Sequence, residues 1–417
     1  MSVKKPQESR SPRRVGIPWS EKLLDPRHAR GRRHAHHGLM ALVAVAFACG
    51  RTVLRQMEDL SADLGRMTRR VLELPRKVSD TALYLLLRRQ RPDGLRETVW
   101  RMVKQGFEKE MFWHDLFRHG VLSFDGKSTC TSTRRRIEGA KESVCPKNGK
   151  PMWTLASMRA CLTSSSARPC VDLELIPEKT GEAPAFRVVF QRVVEHFFPL
   201  FRIVTADAGM TCRENALLVA DATKHYLFAL KGNQERLFKL AQQWLVPGSA
   251  PLRAYTSERR GGVRVDRELY SLTVTGAPEM DFPDVQQLWC IRQVTFNRAG
   301  LPATTEDRYF LSSIPPGLLT PHEQLGLVRL HWGIENGLHW TLDAMLHEDD
   351  RQPCQASSVA IEVVAWLRVI GYNLLAVWRF RAPRANKQSL SWHRAMEWLR
   401  DALVAARIPE AVTAILA

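Results

Sequence analysis

The sequence predicts an α/β protein: a mixed-sheet core with a β-rich insertion, preceded by an all-helical amino-terminal domain. Three observations carry that reading. Apolar residues recur at helical spacing from about 36 to 115. After Gly120 short β-rich runs alternate with amphipathic helical stretches, the order expected of a sheet flanked by helices. From about 247 to 305, turns rich in Pro, Gly and Thr separate further short strands before helices resume at Thr320. With 45% apolar and 25% charged residues, the 417-residue chain is of ordinary globular composition. That excludes wholesale disorder, a collagen-like repeat and a disulfide miniprotein.

Taken in order, residues 1–35 hold ten Lys or Arg against three acids, with four prolines and little periodicity, and predict a mobile basic arm. Residues 36–115 contain the Ala-rich run GLMALVAVAFACG, then ADLGRMTRRVLEL, TALYLLLRRQ and RETVWRMVKQGF, broken at Pro75 and Pro92. They predict a helical domain, either a scaffold or an end-sequence DNA-binding module. Residues 116–246 supply VLSFDG, WTLASMRACLT and CVDLELI, expected to pair as a meander. The helix VVFQRVVEHFF, the strand FRIVTADAG, the helix RENALLVADAT and the strand HYLFALKGN follow. The span 247–305 reads as a β-rich insertion, 306–380 as the second part of the core, and 381–417 as a carboxy-terminal helical segment.

The 61 basic against 43 acidic residues leave a net charge of +18. A surplus of this size favours a polyanionic partner, nucleic acid or an anionic membrane face, although solubility alone also tolerates it. The eight cysteines form no Cys-x-x-Cys pair and have no nearby histidine pair at zinc spacing, so they read as reduced thiols. Gly38 to Gly50 reads as the longest apolar run and is shorter than the roughly 18 residues of a spanning helix. No membrane span and a cytoplasmic location are therefore expected.

Three carboxylates stand out by position. Asp125 is expected at the end of the strand VLSFD, with Gly126 turning the chain behind it, and Asp207 ends the strand FRIVTAD before Ala208 and Gly209. Strand ends are where an open α/β sheet presents groups to a ligand, but such aspartates equally serve as turn or cap residues. Glu335 lies in a helix with Thr320 as N-cap, Pro321 at its first position and Glu323 completing a capping box. Helical spacing lines up His331, Glu335, His339 and Asp343 on one face, with Trp332 and Trp340 on a neighbouring core-facing stripe. The plain alternative is an exposed, salt-bridging face. A zinc site is disfavoured, because the two histidines are eight residues apart rather than four.

The segments FDGK, VTADAG, HYLFALKGNQ, RYFLSSI and RLHWGIENGLHWTLDAMLHEDD, in that order, resemble the DDE transposases of bacterial insertion sequences. They are most similar to the IS-four-like superfamily and its branch marked by HWGIENxLHW, over about 24 to 380. The resemblance implies an RNase H-like core in which Asp125, Asp207 and Glu335 are catalytic and hold two divalent cations, Mg2+ or Mn2+. Hard oxygen donors suit those ions better than zinc. It further implies double-stranded DNA, both transposon ends and target, as partner, a homodimer in the synaptic complex, and a nucleoid-associated protein. Lys127, Lys231, Asn233, Gln234, Arg329, His331, Trp332, Asn336, His339 and Asp343 fall where the family places DNA-binding or supporting residues. The sequence departs from the family pattern after Asp125 (DGKSTCTSTRRRIEGAKESV), at 179–182 (KTGE for the usual Lys-Ser-Asn-Glu) and after Asp350 (RQPCQASS).

The leading expectation is a transposase that cuts at terminal inverted repeats and joins the 3′-hydroxyls to target DNA. A metal-dependent nuclease of the same fold without strand transfer, and a decayed DNA-binding derivative, stand beside it. A basic protein lying on a membrane surface would leave the ordered acidic motifs unexplained.

Overall fold

The computed structural model describes residues 17–381 and 390–405. The chain divides into two compact units, one taking residues up to Met111 with Met345–His347 and the chain from Arg351 onward, the other Phe112–Ala344 with Glu348–Asp350. Of the expected basic arm, residues 1–16 lie outside the described residues, as do 382–389 and 406–417 of the carboxy-terminal segment.

In the first unit, α1 (His36–Ala48), α2 (Leu54–Asp63), α3 (Arg66–Val71), α4 (Asp80–Arg89) and α5 (Asp93–Glu108) follow one another. Every residue of α1 from Gly38 to Ala48 is buried. That suits a helix apolar on all sides, which is stable only when surrounded. The sequence expectation of a mobile arm to residue 35 is corrected for its second half. Ile17, Ser20 and Leu23 are buried, and the Ser20 backbone N–H donates to Thr98 Oγ1 of α5 at 3.0 Å. Gly94 makes room for this segment, since a Cβ there would stand 2.4 Å from the Leu23 Cα.

The second unit is built on a ten-stranded sheet. Its elements are β1 (Val121–Ser132), β2 (Lys141–Val144), β3 (Pro151–Leu162), β4 (Cys170–Ile176), α6 (Glu182–Phe197), β5 (Ile203–Ala206), α7 (Arg213–Asp221), β6 (His225–Leu230), α8 (Glu235–Trp244), β7 (Leu252–Arg260), β8 (Val263–Thr273), β9 (Gln287–Phe296), β10 (Pro302–Ser312) and α9 (Pro321–Gly333). The strand order is β2-β3-β1-β5-β6-β10-β9-β8-β7, with β4 also on β3. β1, β3 and β4 form the expected antiparallel meander, whereas β5 lies parallel to both β1 and β6.

The strands of 247–305, lying between Asp207 and Glu335 where an insertion was expected, prolong the core sheet, because β10 pairs antiparallel with β6 and joins β9, β8 and β7 to it. The physical reason is the open edge of β6, whose unpaired N–H and C=O groups accept another strand. The turn expected at Gly126 does not form. β1 runs on through it to Ser132 because the antiparallel partner β3 continues alongside, with Asp125 opposite Arg159 and Gly126 opposite Met158.

The alternation of β1 decides which helix each side chain meets. On one face Phe124 packs against Phe186 of α6, ring centroids 4.8 Å apart, and Phe186, Val189, Phe190, Val193 and Phe197 form the buried stripe of that helix. On the other face Val121 and Ile203 join the apolar cluster of Leu325, Val328 and Leu330 from α9. Burying each such side chain contributes about 1.5–3 kcal/mol, so both helices are fixed to the sheet independently of the polar residues between them.

The capping box at Thr320 and Glu323 forms as expected. Beyond Gly333, however, the helix does not stay α-helical; Ile334–His339 and Thr341–Met345 are π-helical. Wider turns rotate the following residues, and Trp340, expected on the core side, is 48% exposed.

The chain from Arg351 returns to the first unit, so the second part of the core does not reach residue 380. α10 (Ser358–Arg381) packs on α1, and a Cβ at Gly371 would stand 2.4 Å from the Ala44 carbonyl oxygen; α11 (Trp392–Val404) follows. α10 also corrects the reading of apolar runs. By length and composition its Ser358–Phe380 stretch could cross a membrane, but 89% of the apolar window is buried inside the fold.

Gly120 closes the gap between the starts of β1 and β5: its carbonyl accepts from the Arg202 and Ile203 N–H groups, and a Cβ would meet the Leu200 oxygen at 2.1 Å. Gly120→Ala must part backbone from backbone, and we expect it to cost about 1–3 kcal/mol, read as a lowered midpoint in urea unfolding.

Candidate catalytic site at the ends of the parallel strands

The parallel register pairs Phe124 with Ala206, so the next residues on the two strands are Asp125 and Asp207. Sheet geometry therefore sets these two carboxylates side by side where the pairing of β1 with β5 stops. Glu335 comes from the first π turn of the helix crossing that face. It lies within electrostatic reach of both aspartates: partial burial first, then the charges of Asp125 and Asp207, push its carboxyl above the usual range. Asp207, Glu335, His331, Lys231, Arg308 and Trp332 line an open cleft of about 580 Å3.

Behind the acids the odd-numbered residues of β1 meet the helix in a ladder. His331, buried, pairs through Nδ1 with Thr205 Oγ1 at 3.0 Å, and Thr205 donates to Ser123 Oγ at 2.8 Å, which is paired with Thr163 Oγ1 at 2.7 Å. Because the Thr205 hydroxyl has one proton and gives it to Ser123, Nδ1 is the donor in the first bond and Nε2 carries the lone pair. Next along the strand, His339 Nδ1 lies 3.3 Å from Asp125 Oδ2. Last, Lys127 pairs with Asp343 and lies 3.3 Å from Glu348, whose other oxygen accepts from Arg159 at 2.7 Å. Arg159 and Glu348 are fully buried.

Of the two roles expected for Lys127, DNA contact or support, its burial favours support: the side chain is 4% exposed and held inside the fold. Lys231 is exposed and 3.3 Å from Asp207. Asn233 and Gln234 donate to the Ala208 and Thr211 carbonyls at 2.6 and 3.0 Å, and so fix the turn that carries Asp207. Arg329 binds Glu258 of β7 at 2.7 Å, the Arg308 guanidinium lies 4.6 Å from the Trp332 ring centroid, and exposed Asn336 donates to the Trp332 carbonyl at 3.1 Å.

One acid appears in the sequence analysis only as the last residue of KTGE and was not singled out as a site residue. Glu182, the first residue of α6, is half-buried, and burial, then Asp125 and Asp207, push its carboxyl up. A signal existed in the glycines of FDGK and ADAG, since glycine beside a strand acid marks a close approach by another group. At both Gly126 and Gly209 that group is the Glu182 carboxylate.

The donor set of Asp125, Asp207, Glu335 and Glu182 is all hard oxygen, the chemistry that suits Mg2+ or Mn2+. Among the described residues no three acid, imidazole or thiol side chains already stand at ligating separation around one point. The fit to a divalent cation therefore rests on donor chemistry and on like charges held together.

A family model described as a transposase DDE domain matches residues 117–374. The chain belongs to that family. Similar proteins include the "Putative protein YbfL" of Escherichia coli (strain K12), 29% identical over 42% of this chain and 47% of that protein. The "H repeat-associated putative transposase YhhI" of the same strain is 28% identical over 42% and 47%, and the "Putative transposase YncI" of Escherichia coli O157:H7 24% identical over 42% and 45%. These matches thus span about half the length of the curated relatives. A cryo-EM structure of a piggyBac transposase synaptic complex with hairpin DNA aligns at 13% identity and a TM-score of 0.45, over 93% of this chain and 75% of that one.

Two predictions follow from the ladder in this family member. Burial holds the His331 and His339 imidazoles below their ordinary value. With folded values depressed, the unfolded chain binds protons first, so this stability is present above about pH 6.5 and is lost as pH falls through the depressed values. Thermal midpoints should drop across that window, and His339→Gln should flatten the profile. Glu348→Ala removes the carboxylate that faces buried Arg159 and should cost about 3–5 kcal/mol in chemical denaturation.

Proposed function

We propose that this protein is a DNA transposase of the IS-four-like superfamily, with Asp125, Asp207 and Glu335 as its catalytic triad in an RNase H-like core. The single observation behind the reading is the register that sets Asp125 beside Asp207, with Glu335 electrostatically coupled to both, inside the span that matches the family. The meander β1, β3, β4 followed by parallel β5 and β6 supports an RNase H-like description of that core.

Asp125, Asp207 and Glu335 would hold two divalent cations, Mg2+ or Mn2+. Such a pair supplies activation of the attacking water or 3′-hydroxyl and charge stabilisation at the leaving oxygen. The chain's own groups do the rest. Lys231 brings a cation to the edge of the acidic cluster, where it meets a DNA phosphate. Arg308 and Asn336 line the same cleft and position the strand. His331, neutral and locked through Nδ1, presents Nε2 as an acceptor that orients water at the cleft wall. His339 holds Asp125 in place.

The proposed substrates are duplex ends bearing terminal inverted repeats and a target duplex, bound by a homodimer in the synaptic complex, at the nucleoid in the cytoplasm. The net charge of +18 supports a polyanionic partner. DNA affinity should accordingly fall steeply with added salt.

The test is Mg2+-dependent cleavage and joining on DNA carrying the flanking repeats. Asp125→Asn, Asp207→Asn and Glu335→Gln should each lower cleavage on the order of 10²–10³-fold or more with DNA binding retained. Full activity in all three variants would remove the triad. Cleavage without joined products would make the protein a nuclease of the same fold.

A further inference from the structure

The Glu182 carboxylate occupies a place that two glycines keep open. A Cβ at Gly126 would lie 2.1 Å from Glu182 Oε1, and one at Gly209 would lie 2.6 Å from Oε2. Gly126 follows Asp125 directly, and Gly209 sits in the turn that begins at Asp207. Each carboxylate oxygen therefore faces the backbone beside a different aspartate. No hydrogen bond or ion pair to this carboxylate is found among the described residues. A surface glutamate at a helix start would gain from the helix dipole by pointing into solvent. This one turns toward two like charges, an arrangement that costs energy until a cation enters.

We propose that Glu182 is a fourth carboxylate of the metal site, contributing an oxygen to the divalent cation shared by Asp125 and Asp207. The inference rests on the triad reading above and deepens it. It divides the acids by origin: Asp125 and Asp207 come from adjacent strands, Glu335 from the helix on one face of the sheet, and Glu182 from α6 on the other. Mg2+ and Mn2+ prefer about six oxygen donors, and a carboxylate approaching from the second face adds one that the strand pair does not supply. The glycines are its positioning device, so displacing the carboxylate should have the effect of removing it.

The experiment is Mn2+ binding by the full chain without DNA, read from the electron paramagnetic resonance signal of free Mn2+, with thermal unfolding in EDTA alongside. Glu182→Gln is compared with wild type, Asp125→Asn and Gly209→Ala. The expected result is Mn2+ affinity weakened on the order of 10–100-fold in all three variants, with Glu182→Gln unfolding in EDTA at or above the wild-type temperature because a repulsive charge is gone. A merely structural glutamate would instead lower that temperature and leave Mn2+ affinity unchanged. Should Glu182→Gln fail to fold, Gly209→Ala keeps the glutamate and moves only its carboxylate. Weakened binding in Asp125→Asn with wild-type binding in the Glu182 and Gly209 variants would overturn this inference and leave the triad standing. Unchanged binding in Asp125→Asn as well would overturn both.

Discussion

Parallel pairing of β1 with β5 is the constraint on which the site depends. Once Val121 faces Ile203 and Phe124 faces Ala206, Asp125 and Asp207 are adjacent by geometry. A slip of one residue would turn one of the two carboxylates to the opposite face of the sheet. Apolar burial holds the register, with Phe124 against α6 and Val121 and Ile203 against α9. The electrostatically unfavourable part of the molecule is thus carried by its most strongly packed part.

Around that pairing, buried polar groups are linked in chains of hydrogen bonds and ion pairs. The hydroxyl relay from His331 through Thr205 and Ser123 to Thr163 is buried and fully paired along its length. Buried Arg159, Glu348 and Lys127 balance charge inside the fold, and the chain ends at partly exposed Asp343. Breaking one member of such a chain strands the others, which is why it fixes one arrangement of strand and helix. The acids at the mouth differ: Glu335 and Glu182 are crowded by like charge, and Asp207 is relieved by exposed Lys231. A packed, cross-linked interior thus ends in an acidic rim crowded by like charge, the distribution expected where a cation is to be received.

Much of this was legible in the sequence. The capping box, the meander, the helical amino-terminal texture and the strand acids Asp125 and Asp207 follow from local patterns that tertiary contacts do not override. The row His331, Glu335, His339 and Asp343 was also legible as a face, although Gly333 and Gly337 precede and interrupt π turns that helical spacing does not announce. Lys127 was left between a DNA contact and a supporting residue, because only the fold supplies the buried Glu348 carboxylate that draws it inward. That the strands of 247–305 pair onto the core sheet was not legible, because a sequence shows where turns fall, not which edge a strand will find.

The sequence by itself determined most of the elements and where Asp125, Asp207 and Glu335 fall in them, since periodicity, caps and turn residues act within a few positions of one another. Tertiary structure alone decided what lies between those acids. Glu182 is separated from Asp125 and Asp207 by a helix and several strands. Its approach is possible because Gly126 on β1 and Gly209 in the turn after β5 leave the same volume empty; the glycines are visible in the sequence, but which group fills the space they leave is decided only by the fold.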